Sequence, residues 1–287
     1  MSRDPAESLL LLIFAVLSIV LAAGFASRSR FYPPTYLRYL WVFFLAFNVS
    51  QFVSFTIAVW ILALLSFYSL REYFSLVDIR LQDRWGILAA YLSIPFMIYM
   101  VQIDWYGLFI ISIPVYAFLV VPFLVAIGGK EASGTVFSIG VIDFGLFLFV
   151  YCLGHIAYLS LFSTWMAMLL VLSVALCDLI DRLFQRAGIG GRNGVLWRLL
   201  LSVPAVVALS VLVSTWTTIP IIHSVMLGVI IPLLVLGGNF TIGVIEKDLG
   251  IIRDKLQPGR GQIVNAIKSY LFTAPIVFHY IRYFVMR

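Results

Sequence analysis

Apolar residues run along this chain in long stretches that recur from one end to the other. They cover roughly residues 8–26, 40–70, 86–102, 106–127, 135–161, 165–181, 196–214, 219–245 and 269–286. Most approach about 20 residues, the length at which an α-helix crosses a hydrocarbon core. No water is available there to satisfy a bare backbone, so such stretches form helices. The pattern predicts an all-α fold: a polytopic transmembrane helical bundle of about ten spans (nine to ten). No polar segment is long enough to fold alone, so residues 1–287 form a single transmembrane domain.

The stretch 40–70 is long for one span and short for two, and Asn48, Ser50, Gln51 and Ser54 interrupt its middle. The charge distribution decides between the two readings. Sixteen of the 19 Lys and Arg residues lie in the connections 27–39, 71–85, 128–134, 182–198 and 246–268, whereas 103–105, 162–164 and 215–218 hold none. Basic residues concentrate in cytoplasmic loops. If 40–70 were one span, connections 27–39 and 71–85 would face opposite sides. A hairpin turning near Asn48–Ser54 puts every basic loop on one side. The expectation is therefore a hairpin, ten spans, both termini outside, and the basic loops on the cytoplasmic face of the cytoplasmic (inner) membrane.

Composition supports this class. The chain is 63% hydrophobic and only 11% charged, well below the roughly 25% charged residues of soluble domains. The net charge of +6 follows from the basic loops and does not call for nucleic acid as a partner. The first apolar run follows Arg3, Asp4 and Glu7 and lacks the positive leading segment of a signal peptide, which predicts a retained first helix. Cys152 and Cys177 stand in apolar stretches without metal-ligand spacing and read as packing residues. His155, His223 and His279 are isolated on apolar helices and read the same way.

Two polar places are candidates for chemistry. The first is the connection 246–268, with Glu246, Lys247, Asp248, Arg253, Asp254, Lys255 and a Pro258-Gly259-Arg260-Gly261 turn. Its cations suit anionic phosphates and its carboxylates a hard cation; the alternative is a solvated connector whose cations meet lipid phosphate. The second is Asp178 with Asp181 and Arg182, followed by the glycines of 188–194, which fit no phosphate-loop pattern. An ionisable residue near the end of an apolar helix is a functional candidate by default, and pairing with Arg182 one turn on is the alternative. Asn239 follows Gly237-Gly238 inside a helix, where it needs a partner and the glycines allow close backbone approach.

Taken together, Gly238-Asn239, Glu246-Lys247-Asp248-Leu249-Gly250, Arg253-Asp254, Pro258-Gly259-Arg260-Gly261, Asn265 and Lys268-Ser269 resemble the C-terminal signature of the phosphatidate cytidylyltransferases, or CDP-diacylglycerol synthases, in their bacterial homologues. Phe272-Thr273-Ala274-Pro275, Arg71-Glu72-Tyr73 and His155 fit the same family. The resemblance implies a reaction in which CTP and phosphatidate give CDP-diacylglycerol and pyrophosphate, with Mg²⁺ held by carboxylates. It implies catalytic roles for Asp178, Asp248 and Asp254, with Asp178 and Asp254 as metal ligands. It assigns phosphate binding to Lys247, Arg253, Lys255, Arg260 and Lys268, and the turn to Pro258, Gly259 and Gly261. An anionic, phosphatidate-like phospholipid, CTP and a second copy in a homodimer are the implied partners.

The chain departs from the family pattern at the residues that hold metal. Asn239 stands for the Asp after Gly, Gly243 for Ser, Glu246 for Lys, Arg260 for His and Gln262 for Gly. Asn265 and Lys268 stand for both aspartates of the last motif, Ala266 for its Arg, and the upstream Ser-Pro-x-Lys-Thr motif is absent. Asp to Asn removes a charge that binds Mg²⁺, and Asp to Lys reverses it. The readings to be weighed are an active lipid cytidylyltransferase, a non-catalytic homologue binding anionic lipid or a protein partner, and a small transporter.

Overall fold

In the computed structural model, the structure describes residues 5–26, 35–128, 132–189, 191–249, 251 and 260–286. These are helical nearly throughout, with no strand among the described residues. Ten long helices follow in order: α1 Pro5–Ala26, α2 Thr35–Phe52, α3 Phe55–Leu76, α4 Arg84–Gln102, α5 Tyr106–Gly128, α6 Thr135–Phe162, α7 Thr164–Arg186, α8 Gly191–Leu212, α9 Ile221–Asp248 and α10 Gln262–Phe284. The ambiguous stretch 40–70 is a hairpin. It breaks at Val53–Ser54, where Ser54 adopts an extended conformation between α2 and α3, and the two helices pack together.

Among the described residues, seven helices are long and apolar enough to cross a membrane. The other three, α2, α7 and α10, are more polar because they form the centre of the bundle. α2 packs against α1, α3, α7 and α10, and α10 packs against α2, α3, α6, α7 and α9. A helix covered by other helices can carry polar groups provided that they meet one another. The two helices α7 and α10 are also amphipathic. This corrects the apolar bounds read at 165–181 and 269–286. Both helices extend further, through Arg186 and back to Gln262, because one face of each stays inside the protein.

The periphery is apolar and turned outward. Ile19 on α1, Leu119 and Phe123 on α5, and Leu200 and Leu212 on α8 are exposed, as lipid-facing side chains must be. Helices approach most closely at glycines. A Cβ on Gly228 of α9 would fall 2.5 Å from the Cα of Val207 on α8, the small-residue contact that lets membrane helices pack backbone to backbone.

Two helices contain a widened turn. In α5 it spans Ser112–Ala117 and includes Pro114, which has no N–H for the regular ladder. In α6 it spans Phe147–Cys152 without a proline. There the Nδ1–H of His155 donates to the Tyr151 carbonyl at 2.8 Å. His155 is fully buried among the rings of Phe109, Tyr151, Phe278 and His279. His223 Nδ1 and the Tyr280 hydroxyl share a hydrogen bond at 2.9 Å. Both cysteines are buried and free, as packing residues.

Candidate functional site

The polar faces of α7 and α10 meet α8 and α9 around one cavity of about 540 Å³, within the usual range for small-molecule sites. Each helix lines it with a helical repeat. α7 gives Cys177, Asp178, Asp181, Arg182 and Gln185; α8 gives Val195, Arg198, Leu199 and Ser202. α9 gives Pro232, Val235, Leu236, Asn239 and Phe240; α10 gives Asn265, Lys268 and Ser269. Spacings of three and four place each set on one face. The α10 residues come from its first two turns and the α7 residues from its last three. The cavity therefore lies towards the end of the bundle that carries the basic connections.

Two hydrogen-bonded groups organise the walls. The Ser269 hydroxyl donates to Asp178 Oδ1 at 2.6 Å and lies 3.1 Å from the Asn239 side chain. A serine has one proton to give. With that proton on the carboxylate, Asn239 must turn its amide N–H towards Ser269, an orientation set by the network. Asn239 thus has its partner on α10. Gly238 beside it allows the approach, since a Cβ there would fall 2.9 Å from Cβ of Phe272. In the second group, Asp181 accepts from Arg198 and from Gln185, each at 2.5 Å.

Of the residues expected at the site, Asp178 and Lys268 line the cavity together. Arg182 does too, and its guanidinium lies 4.2 Å over the ring of Tyr36 on α2. Lys247 and Asp248 are exposed at the end of α9 and do not line the cavity. Arg260 donates to the Ser75 carbonyl. Gly261 begins α10 in a left-handed conformation, φ 70°, which suits glycine. Arg253, Asp254, Lys255, Pro258 and Gly259 lie outside the described residues.

Several pairings had no signal in the linear sequence. Asp181 and Arg198 are 17 residues apart on different helices, and Ser269 and Asn239 are 30 apart. Glu72 was legible only as part of the Arg71-Glu72-Tyr73 match. Its carboxylate accepts the backbone N–H groups of Gln262 at 3.1 Å and Val264 at 2.8 Å. It therefore caps α10 from another helix, satisfying two of the N–H groups that a helix start leaves open.

A Mg²⁺-bound triphosphate calls for several carboxylates around one point. Among the described residues no three His, Cys, Asp or Glu side chains form such a group. Asp178 and Asp181 are the carboxylates lining the cavity, and Asp181 is already bound to Arg198. Asn239, Asn265 and Ser269 are neutral, and Lys268 brings a positive charge to the same wall. Among the described residues this donor set does not form a Mg²⁺–nucleotide centre; Asp254, the other expected ligand, lies outside them. The set fits an anion held by cations, amides and a hydroxyl.

Over 239 residues the chain is 27% identical to the "Uncharacterized protein YnbB" of Escherichia coli (strain K12). The match covers 77% of this chain and 78% of that protein. No model of a protein family matches the chain. No solved structure matches it either.

Proposed function

We propose that this chain is a ten-span protein of the cytoplasmic membrane that binds a phosphate-bearing, phosphatidate-like lipid in the cavity between α7, α8, α9 and α10. Its scaffold is of the phosphatidate cytidylyltransferase type. The observation that carries the reading is the cavity wall itself. Lys268 and Arg182 gather beside Asn239, Asn265 and Ser269 at the basic-loop end of apolar helices, while Arg198 is held by Asp181. A lipid phosphate resides at that depth, and guanidinium and ammonium groups are its usual partners. The excess of Lys and Arg in the connections at this end supports a cytoplasmic orientation, with the cavity opening at the inner leaflet. α2, α7 and α10 complete the ten spans as interior helices.

In this reading the chain holds the lipid and does not transfer a cytidylyl group. Transfer would need in-line placement of a metal-bound triphosphate, and the donors lining the cavity do not suit one. The experiment is purified protein with phosphatidate, labelled CTP and Mg²⁺. The expected result is retained phosphatidate and no labelled CDP-diacylglycerol. Turnover abolished by Asp254→Ala would overturn the non-catalytic reading in favour of the enzyme.

A further inference from the structure

A second cavity of about 300 Å³ lies on the outward side of α7, lined by Tyr36, Leu179, Arg182, Leu183, Gln185 and Arg186. Leu179, Arg182, Leu183 and Arg186 follow the i, i+3, i+4, i+7 spacing of a single helix face. Leu179 and Leu183 are 42% and 51% exposed, so this face is open over the last two turns of α7. Leu183 and Arg186 stand in the last turn of the helix, and Leu179 lies one turn before them. Along this face two leucines alternate with two cations. Among the described residues no carboxylate lines the cavity. Arg182 stacks over Tyr36 at 4.2 Å, which fixes its planar group at the rim with its edges available for hydrogen bonds.

We infer that this groove is a separate surface site for the headgroup of an anionic phospholipid. The phosphate lies between Arg182 and Arg186, and one acyl chain runs along Leu179 and Leu183. Charge complementarity selects the headgroup, and the exposed leucines select a lipid over a soluble phosphate. The cavity walls share Arg182 and Gln185 with the inner cavity, so the groove lies at the inner cavity's lateral wall. The inference rests on the membrane placement proposed above but not on occupancy of the inner cavity.

The test is native mass spectrometry of the full-length protein with phosphatidylglycerol and, separately, phosphatidylcholine. The wild type should retain phosphatidylglycerol in preference to phosphatidylcholine. Arg186→Gln should weaken one phosphatidylglycerol binding step about tenfold, the effect of one lost charge-assisted contact. Arg186→Lys should restore most of it, and Tyr36→Ala should weaken the same step by releasing Arg182. Because Arg186 is exposed, its substitution does not compromise the bundle. Lys268→Gln addresses the inner cavity alone, so loss of an effect there with a retained Arg186 effect removes the inner-cavity reading and leaves this one. Equal binding of both lipids would overturn the surface site. So would unchanged binding by both Arg186→Gln and Tyr36→Ala, since it would restrict Arg186 to complementing the dipole at the end of α7.

Discussion

Replacing Glu72 with alanine removes both hydrogen bonds that the first turn of α10 receives from α3. The Gln262 and Val264 amides then lose acceptors at 3.1 and 2.8 Å. Loss of a capping side chain costs about 1 kcal/mol, and loss of a negative charge at a helix start adds roughly 0.3–1 kcal/mol. The carboxylate is only half-buried, so solvent replaces part of what is lost. The expected total is about 1.4 kcal/mol of local stability, equivalent to about a tenfold change in an opening equilibrium. Amide hydrogen exchange reads this directly, because exchange of a protected N–H follows its local opening. In Glu72→Ala, exchange at Gln262 and Val264 should accelerate about tenfold, with α1 unaffected. Glu72→Gln keeps an acceptor but not the charge, and should accelerate it about fivefold. Unchanged exchange at those two amides would refute the cap. Equal acceleration in α1 would show a global loss of stability instead.

Ser269→Ala should lower stability by about 1–3 kcal/mol, read as a lower melting temperature in detergent, because Asp178 and Asn239 both lose their partner. Gly228→Ala should lower it by about 1–3 kcal/mol through overpacking, because the new methyl group meets backbone at Val207 that cannot turn aside; an unchanged melting temperature would contradict the close α8–α9 approach. Accessibility tags at residues 53 and 78 should report opposite sides of the membrane, and detection of both on one side would contradict the hairpin orientation.

The number and order of long helices were legible because lipid-facing residues must be apolar, and that demand is uniform along α1, α5 and α8. The hairpin was legible from charge, since Arg28, Arg30 and Arg38 had to share a side with Arg71, Arg80 and Arg84. The ends of α7 and α10 were not. Hydropathy cut α10 at Ser269, although the helix begins at Gln262, because Asn265 and Lys268 spend their polarity on an interior cavity. The same misreading made 246–268 look like one connector, whereas Lys247–Asp248 end α9 and residues from Gln262 onward belong to α10. Asp178 and Lys268 were found from residue type and from the resemblance. Their surroundings were not, because Asp181 with Arg198 and Ser269 with Asn239 are contacts between helices with no fixed sequence spacing. The Asp178–Arg182 pairing weighed as the alternative is not a salt bridge: Asp178 accepts from Ser269, and Arg182 lies over the Tyr36 ring and acts on Asp178 through its charge alone.

The central claim is that a lipid phosphate is held between α7, α8, α9 and α10. Photocrosslinking with a phosphatidate analogue carrying the reactive group beside its phosphate tests it most directly. After digestion, adducts should map to peptides that include Asp178–Gln185, Arg198–Ser202, Asn239 and Asn265–Ser269, and Lys268→Gln should reduce them. Adducts confined to the apolar exteriors of α1, α5 and α8, unchanged by Lys268→Gln, would contradict it.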